Sequence, residues 1–268
     1  MTSDEVQDTG MKLKIGHLYP TLMSVAADRG NLFAIRKRCE WRGIATEVEE
    51  IYVKQTPDFT QFDLLLIHGA ADREMELASR DIQLKASGLI EAAQANVTFL
   101  SVCAGFQLLG HYYRPSTGPE LKGVGLLDLY TEGGSTRFMT HMAMQCDLEG
   151  VGKQVLVGYE NHSGRTWLGD NAQPLGKVIV GWGNNGKDGF EGARYKNVYG
   201  TYLHGPVLPK NPWFTDYLIQ RALERRYGKV ELTPLEDTAE NIAHDTALKL
   251  AMEFKGTMSA IEATPWKR

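Results

Sequence analysis

Two residues stand where this chain could carry out nucleophilic chemistry. Cys103 lies in VTFLSVCAGFQLLG, where a run of consecutive apolar residues stops and a helical pattern begins; His204 lies in NVYGTYLHGP, where another apolar run ends at a Gly-Pro turn. A thiol at the start of a helix faces unpaired backbone N–H groups and the positive end of the helix dipole, which favour the thiolate, the nucleophilic form. The N–H of the next residue, Ala104, points to where an oxyanion would form. A thiolate attacking an acyl carbon needs a group to protonate the leaving atom, usually a histidine. Of seven histidines, His204 is the candidate, because a strand end would carry it to the same rim as Cys103. His17 and His68 also fall near strand ends, as neighbours of the site. His111 is expected in the helix after Cys103 and His244 in the last helix, both in structural or solvated roles. Cys39, in a helical apolar pattern, and Cys146, in an alternating strand, read as small buried apolar residues. His141, Cys146 and His162 lack the spacing of metal ligands, so no metal is expected.

Placing Cys103 and His204 on one rim requires a particular scaffold. MKLKIGHLY (11–19) reads as a first strand, followed after Asp28-Arg29-Gly30-Asn31 by a helix with Leu32, Ile35 and Cys39 on one face, ending at Gly43. ATEVEEIYV reads as a half-exposed strand, and FDLLLIHG and VTFLSV as strands buried on both faces, with a helix marked by Met75, Ala78, Ile82, Leu89 and Ala92 between them. This alternation predicts a flavodoxin-like, doubly wound α/β fold: a mostly parallel sheet with helices on both faces. From Gly123 to about Trp182 short alternating runs between glycines predict a mixed or antiparallel extension, and KVIVGW and NVYGTYLH add further strands. Asn211-Pro212 opens a helix that Gly228 closes, and the capping box Thr233-Pro234-Leu235-Glu236 predicts a last helix running to near Gly256. The expected division is a disordered tail over 1–10, one domain over 11–228, and a C-terminal helix and tail over 229–268.

With 268 residues, 43% of them hydrophobic, and a net charge of -4, the chain can bury one large core. No apolar run approaches the roughly 20 residues of a membrane span, and the polar start MTSDEVQDTG lacks the pattern of a secretory signal. Three scattered cysteines form no disulfide framework. Without a Lys/Arg block, nucleic acid is not an expected partner, and without a Walker A loop the chain has no nucleotide motif of its own.

Cys103-Ala104-Gly105-Phe106-Gln107 together with Tyr202-Leu203-His204-Gly205 resembles the class I glutamine amidotransferases of the branch that includes cobyric acid synthase domains. The blocks LYPTLMSVAADRGNL (18–32), HGAADREM (68–75), GYENHSGRTWLG (158–169) and GTYLHGP narrow that resemblance. They are similar to the glutaminase subunits that serve a MurT-like, Mur-ligase-type partner in amidating the D-glutamate of lipid II to D-isoglutamine. The resemblance implies that Cys103 attacks the side-chain amide of glutamine, His204 protonates departing ammonia, and water hydrolyses the thioester to glutamate. It implies an oxyanion hole of the Ala104 N–H and one from Gly69 or Ala70, with Gln107 on the substrate side and Arg137, in a loop after a glycine pair, binding glutamine. It further implies a heterodimer, no cofactor in this chain, ATP and Mg on the partner, and a cytoplasmic place with the inner membrane face as the source of the lipid-linked acceptor. Two alternatives stand beside this one: a subunit serving another acceptor, such as a corrinoid, and a non-catalytic flavodoxin-like binding or redox-sensing module using Cys103. One feature departs from many class I members, in which an acid two residues after the histidine orients it: here Gly205 and Pro206 follow His204. A carboxylate from the ATP-dependent partner is therefore expected to reach His204 in the complex and to raise the activity of this chain; the alternative is an acid or carbonyl elsewhere in this chain, for example Glu160 or Glu191, or no tether at all.

Overall fold

The structure, a computed structural model, describes residues 8–24 and 28–253. Most of the tail expected over 1–10, and the predicted end of the last helix near Gly256, lie outside the described residues. In chain order the first half comprises β1 (Lys12–Leu18), α1 (Arg29–Glu40), β2 (Ala45–Ile51), β3 (Leu64–Ile67), α2 (Asp72–Gln94), β4 (Thr98–Val102) and α3 (Ala104–Leu109). The second half comprises β5 (Tyr112–Arg114), β6 (Leu121–Lys122), β7 (Leu129–Leu148), β8 (Gly152–Leu168), β9 (Gly176–Val180), β10 (Phe190–Glu191), β11 (Ala193–Tyr195), β12 (Val198–Thr201), β13 (Leu203–His204), α4 (Pro212–Tyr227) and α5 (Thr238–Glu253).

The first sheet has the order β11-β12-β4-β3-β1-β2, parallel throughout except for the β11–β12 edge pair. β3 and β4 are fully buried, as their unbroken apolar runs require of central strands covered on both faces. One apolar cluster, containing Ile35 of α1 and Phe214, Leu218 and Ala222 of α4, covers one face of the sheet; a second, containing Met75, Ile82 and Leu89 of α2, covers the other. This is the predicted doubly wound arrangement. The strand order reverses between β1 and β3, and the carboxyl ends of β1, β3, β4 and β12 form the rim where such folds bind ligands.

The second sheet is built on a long β7–β8 hairpin, not on the short runs predicted. β7 has 20 residues and β8 has 17, and they pair antiparallel with one irregularity between Gly133 and Phe138. The strand looks broken in sequence because its two ends serve different neighbours, β5 at one end and β9 at the other. β13 pairs with β8. The chain thus leaves the first sheet at Thr201 and joins the second at Leu203, and His204 stands where the two sheets meet.

The last helix begins at Thr238, four residues after the predicted first helical position, Pro234. The intervening stretch is held extended by two arginines of and after α1: Arg38 binds Asp216 at 2.6 Å and Asp237 at 2.5 Å, and Arg42 donates to the Thr233 carbonyl at 2.7 Å. Arg38 is buried, and pairing it with two carboxylates outweighs any gain from an early helix start. The following helix buries Ala247 and Ala251 against Ala143 and Val157 of the hairpin. Asn211 precedes α4 as predicted, but its side chain makes no cap and bonds the Val157 backbone instead. Among the described residues no helix is long and apolar enough to cross a membrane.

Candidate active site

The corner between β4 and α3 is a sharp one. Cys103 has φ 50° and ψ -106°, a backbone conformation that costs a side-chain-bearing residue about 1–3 kcal/mol and is kept only where its surroundings enforce it. Its N–H is tied to Thr201 of β12 at 2.9 Å and its carbonyl to the Gln107 N–H at 2.9 Å. Gly105 makes this tight turn possible: a Cβ there would stand 2.5 Å from the Ile67 carbonyl oxygen, and its N–H bonds the His68 carbonyl at 3.1 Å. The start of α3 therefore sits directly on the end of β3, and the Cys103 side chain is pushed out toward the rim. Cys103 is half-buried. Cys39 and Cys146 are fully buried, and burial pushes the Cys39 thiol up to about 12 and that of Cys146 higher still, which leaves both inert as nucleophiles.

His204 reaches the same place from β13 and is hydrogen-bonded to the Cys103 side chain. The expected orienting carboxylate is present within the chain, and it is neither Glu160 nor Glu191. Asp28, fully buried, lies 3.2 and 3.3 Å from His204 Nδ1 through its two oxygens, which leaves Nε2 for the sulfur. His204 thus already has an orienting carboxylate within its own chain. Glu160 instead accepts from the Trp182 and Gly183 N–H groups, and Glu191 from Thr201 and Tyr202, so both are committed to backbone turns. Asp28 is brought to His204 by Gly30, whose missing side chain makes room for Pro206: a Cβ would stand 2.4 Å from its Cγ. Burial opposes charge on His204, but the negative charge on Cys103, the hydrogen bonds to Asp28 and Cys103 and the Asp28 charge together raise its pKa to about 10. The arrangement favours an imidazolium at His204.

Asp28 also corrects the oxyanion hole. Its carboxylate accepts the Gly69 N–H at 3.2 Å, so that N–H is engaged and drops out of the expected set of oxyanion donors. Behind the site, His17 Nε2 and His68 Nδ1 are 3.2 Å apart. Burial holds His17 at about 4 and His68 well below the ordinary imidazole range, so both are neutral. They flank the pair without replacing His204.

Cys103 and His204 line a cavity of about 320 Å³ together with Ala70, Asp72, Gln107, Tyr113, Arg137 and the His162–Gly164 stretch of β8. Gln107 Nε2 donates to the Tyr202 hydroxyl at 2.9 Å, which also bonds Thr166 at 2.6 Å. Arg137 lies in β7, within the irregularity between Gly133 and Phe138, and not in a loop. His162 stacks on Tyr202, with ring centroids 3.6 Å apart. His111 falls just beyond α3, where it bonds Asp128 at 2.9 Å, and His244 in α5 bonds the Val155 carbonyl at 3.1 Å. His141 and Cys146 lie in β7, and among the described residues no three His, Cys, Asp or Glu side chains converge as metal ligands.

The residues missed from sequence are Asp28, Asp72, Tyr113 and Tyr202. Asp28 reads as part of a helix start, and its distance of 176 residues from His204 gives no local sign of pairing. A signal was present in Gly30: a glycine in the first turn of a helix weakens it, and so needs a reason such as close approach of another chain segment.

A family model of the CobB/CobQ-like glutamine amidotransferase domain matches residues 14–212. The chain is 38% identical over 229 residues to the lipid II isoglutaminyl synthase (glutamine-hydrolyzing) subunit GatD of Staphylococcus aureus, covering 85% of this chain and 92% of that one. It is 34% identical to the subunit of the same name from Streptococcus pneumoniae, covering 84% and 86% respectively. It is 30% identical over 207 residues to the cobyric acid synthase of Limosilactobacillus reuteri, of which it spans 39%.

Proposed function

Since the chain belongs to the CobB/CobQ-like glutamine amidotransferase family, we propose that it is the glutamine-hydrolysing subunit of a lipid II isoglutaminyl synthase, working through a Cys103 thioester. The observation that carries the chemistry is the Cys103–His204–Asp28 constellation opening on one polar cavity. The Cys103 thiolate attacks the side-chain carbonyl carbon of glutamine, forming a C–S bond while the oxyanion is held by the N–H groups of Ala104 and Ala70. Collapse of that intermediate breaks the C–N bond, and His204 gives its proton to the departing nitrogen, which leaves as ammonia. The negative charge of Cys103 is one of the groups that hold the His204 pKa up. Acylation removes that charge, so the imidazolium becomes a better proton donor when the leaving group needs one. His204, now neutral, takes a proton from water, the hydroxide attacks the thioester, and glutamate leaves with the thiolate restored.

Ammonia is of use only where a carboxylate has been activated. The synthase reading therefore places ATP, Mg and the activation of the lipid II D-glutamate on a Mur-ligase-type partner, with this chain as a heterodimeric ammonia source. The test is the chain copurified with its ATP-dependent partner and supplied with amide-¹⁵N glutamine. Glutamate release with ¹⁵N appearing in lipid II supports the reading. Glutamate release with label in another acceptor would move the chain to another amidotransferase, and absence of glutamate release both with the partner and without it would leave only the binding-module alternative.

A further inference from the structure

The cavity that holds the nucleophile is also lined by two opposite charges that no ion pair among the described residues neutralises. Asp72 opens α2 and Arg137 lies on β7, and both line the cavity with Cys103. Among the described residues neither forms an ion pair; the Arg137 guanidinium makes only a long contact of 3.4 Å to the Asn161 carbonyl. Tyr113, buried, lines the same cavity: its phenol hydrogen-bonds Ser163 and feels the charges of Asp72, Cys103 and Arg137. One small space thus presents a nucleophile, an anion and a cation, with a phenol within electrostatic reach of all three.

Resting on the glutamine-hydrolysing reading, we propose that Asp72 is a specificity-determining residue, which binds the α-ammonium group of the amino-acid substrate while Arg137 takes its α-carboxylate. A free amino acid carries one charge of each sign on the same carbon, with its side-chain amide at the far end. A site with Asp72 and Arg137 on its wall and Cys103 at its corner matches that order. The pairing excludes two classes of competitor: amides without an α-ammonium, and glutamine within a peptide, whose amino group is acylated and uncharged. Asp72 is exposed on the cavity wall, so discrimination against such compounds comes from the charge-assisted contact they cannot make. An acid in the first turn of a helix also favours the helix dipole, so Asp72 could be retained for stability alone, and the test must separate the two roles.

The separating experiment crosses enzyme and substrate changes. Glutaminase kinetics are measured for the wild-type chain with its partner, and for Asp72→Asn and Asp72→Glu, on glutamine and on 4-carbamoylbutanoate, which is glutamine without its ammonium group. Asp72→Asn is expected to lower kcat/KM on glutamine about tenfold or more, mostly through KM, because a charge-assisted contact is lost. On 4-carbamoylbutanoate the same substitution should have little effect, and Asp72→Glu should recover part of the loss on glutamine. Equal losses on both substrates, or no loss on glutamine, would overturn the assignment, and an unchanged kcat/KM with only a lower Tm would leave Asp72 as a helix-dipole residue. Failure of the wild-type enzyme to release glutamate from glutamine would instead count against the functional reading itself.

Discussion

Cys103 is placed by its neighbours in sequence, whereas His204 is placed by stretches of chain far from its own. The end of β4, the strained corner and Gly105 lie within three residues, and only Ile67 and His68 of the adjoining strand are needed to close the turn. His204 depends on Asp28 across 176 residues, on the Gly30–Pro206 contact, and on pairing of its short strand with Tyr159 and Glu160 of the hairpin. A nucleophile must be exposed at one fixed point, which a single tight turn can do. A proton carrier must be oriented on two sides at once, which one turn cannot do. The division of labour predicts that damage to the Cys103 side removes chemistry outright, while damage to the His204 side is graded by distance from the ring.

The largest effect is expected from Cys103→Ser, which should abolish glutamine-dependent amidation while sparing amidation driven by added ammonia in the complex. Glutamate release read beside ammonia-driven product formation checks it; appreciable glutaminase turnover would deny Cys103 its role. Next comes His204→Ala, expected to slow turnover by about 10²–10⁴-fold, the usual loss of general acid–base catalysis. If His17→Ala or His68→Ala matched that loss while His204→Ala was nearly silent, the histidine assignment would be wrong.

Asp28→Asn sharpens the comparison, since it leaves both reacting groups in place and alters only what holds one of them. Loss of a charge-assisted hydrogen bond of about 1.5–3 kcal/mol predicts a fall of roughly 10- to 100-fold in kcat/KM. It also predicts a shift in pH dependence. With His204 raised to about 10, activity of the wild type should fall on the alkaline side as the imidazolium is lost, and Asp28→Asn should move that fall to lower pH. Stability follows the same sign: the folded state holds the His204 proton more tightly than the unfolded chain does, with its ordinary value of 6.5. The stabilisation is therefore full below about 6.5 and is lost as pH rises toward about 10. The variant should show less of this alkaline loss. An alkaline limb that does not move would mean that Asp28 is not what holds the ring.

The same contrast explains what could be read from the sequence. The parallel sheet was legible because β3 and β4 are buried on both faces and so are spelled as unbroken apolar runs between glycines. The Cys103 corner was legible because strand end, thiol and glycine fall within the four residues Val102 to Gly105. Asp28 was not, since a carboxylate before a helix has a sufficient local explanation and its partner is named only by tertiary contact. Arg137 was visible as a residue but not as part of a strand: two glycines and a bulge disguise the continuity of β7. The last helix was placed too early because Thr233-Pro234-Leu235-Glu236 has the spelling of a helix start, while the arginines that hold that stretch extended come from the region of α1.

The smallest effect on catalysis should come from Glu160→Gln, and it tests whether the two acids beside His204 differ in kind. Asp28 touches the ring; Glu160 sits across the strand pair from Leu203 and accepts the Trp182 N–H at 2.7 Å and the Gly183 N–H at 3.0 Å, one on each oxygen. Burial raises its pKa to about 8, against the pull of those two hydrogen bonds. A glutamine has the same shape but only one acceptor, so one of the two N–H groups would face an amide N–H₂ and lose its partner. Leaving a buried donor unpaired costs about 1–3 kcal/mol, which a fall in Tm or in the midpoint of denaturant unfolding would register. The turn over Trp182–Gly183 is one connection away from His204, so turnover at a temperature where the variant is folded should drop no more than a few-fold. The pH dependence gives a second reading of the same residue. A carboxyl raised from 4.5 to about 8 in the folded state binds its proton more tightly there than in the unfolded chain, so its contribution to stability declines as pH rises from about 4.5 to 8. In Glu160→Gln that share of the decline should disappear, whereas Asp28→Asn should leave it intact. If Glu160→Gln instead lost as much turnover as Asp28→Asn at unchanged stability, the two acids would be acting on the ring alike, and the contrast between a group that orients chemistry and one that secures the fold would not hold.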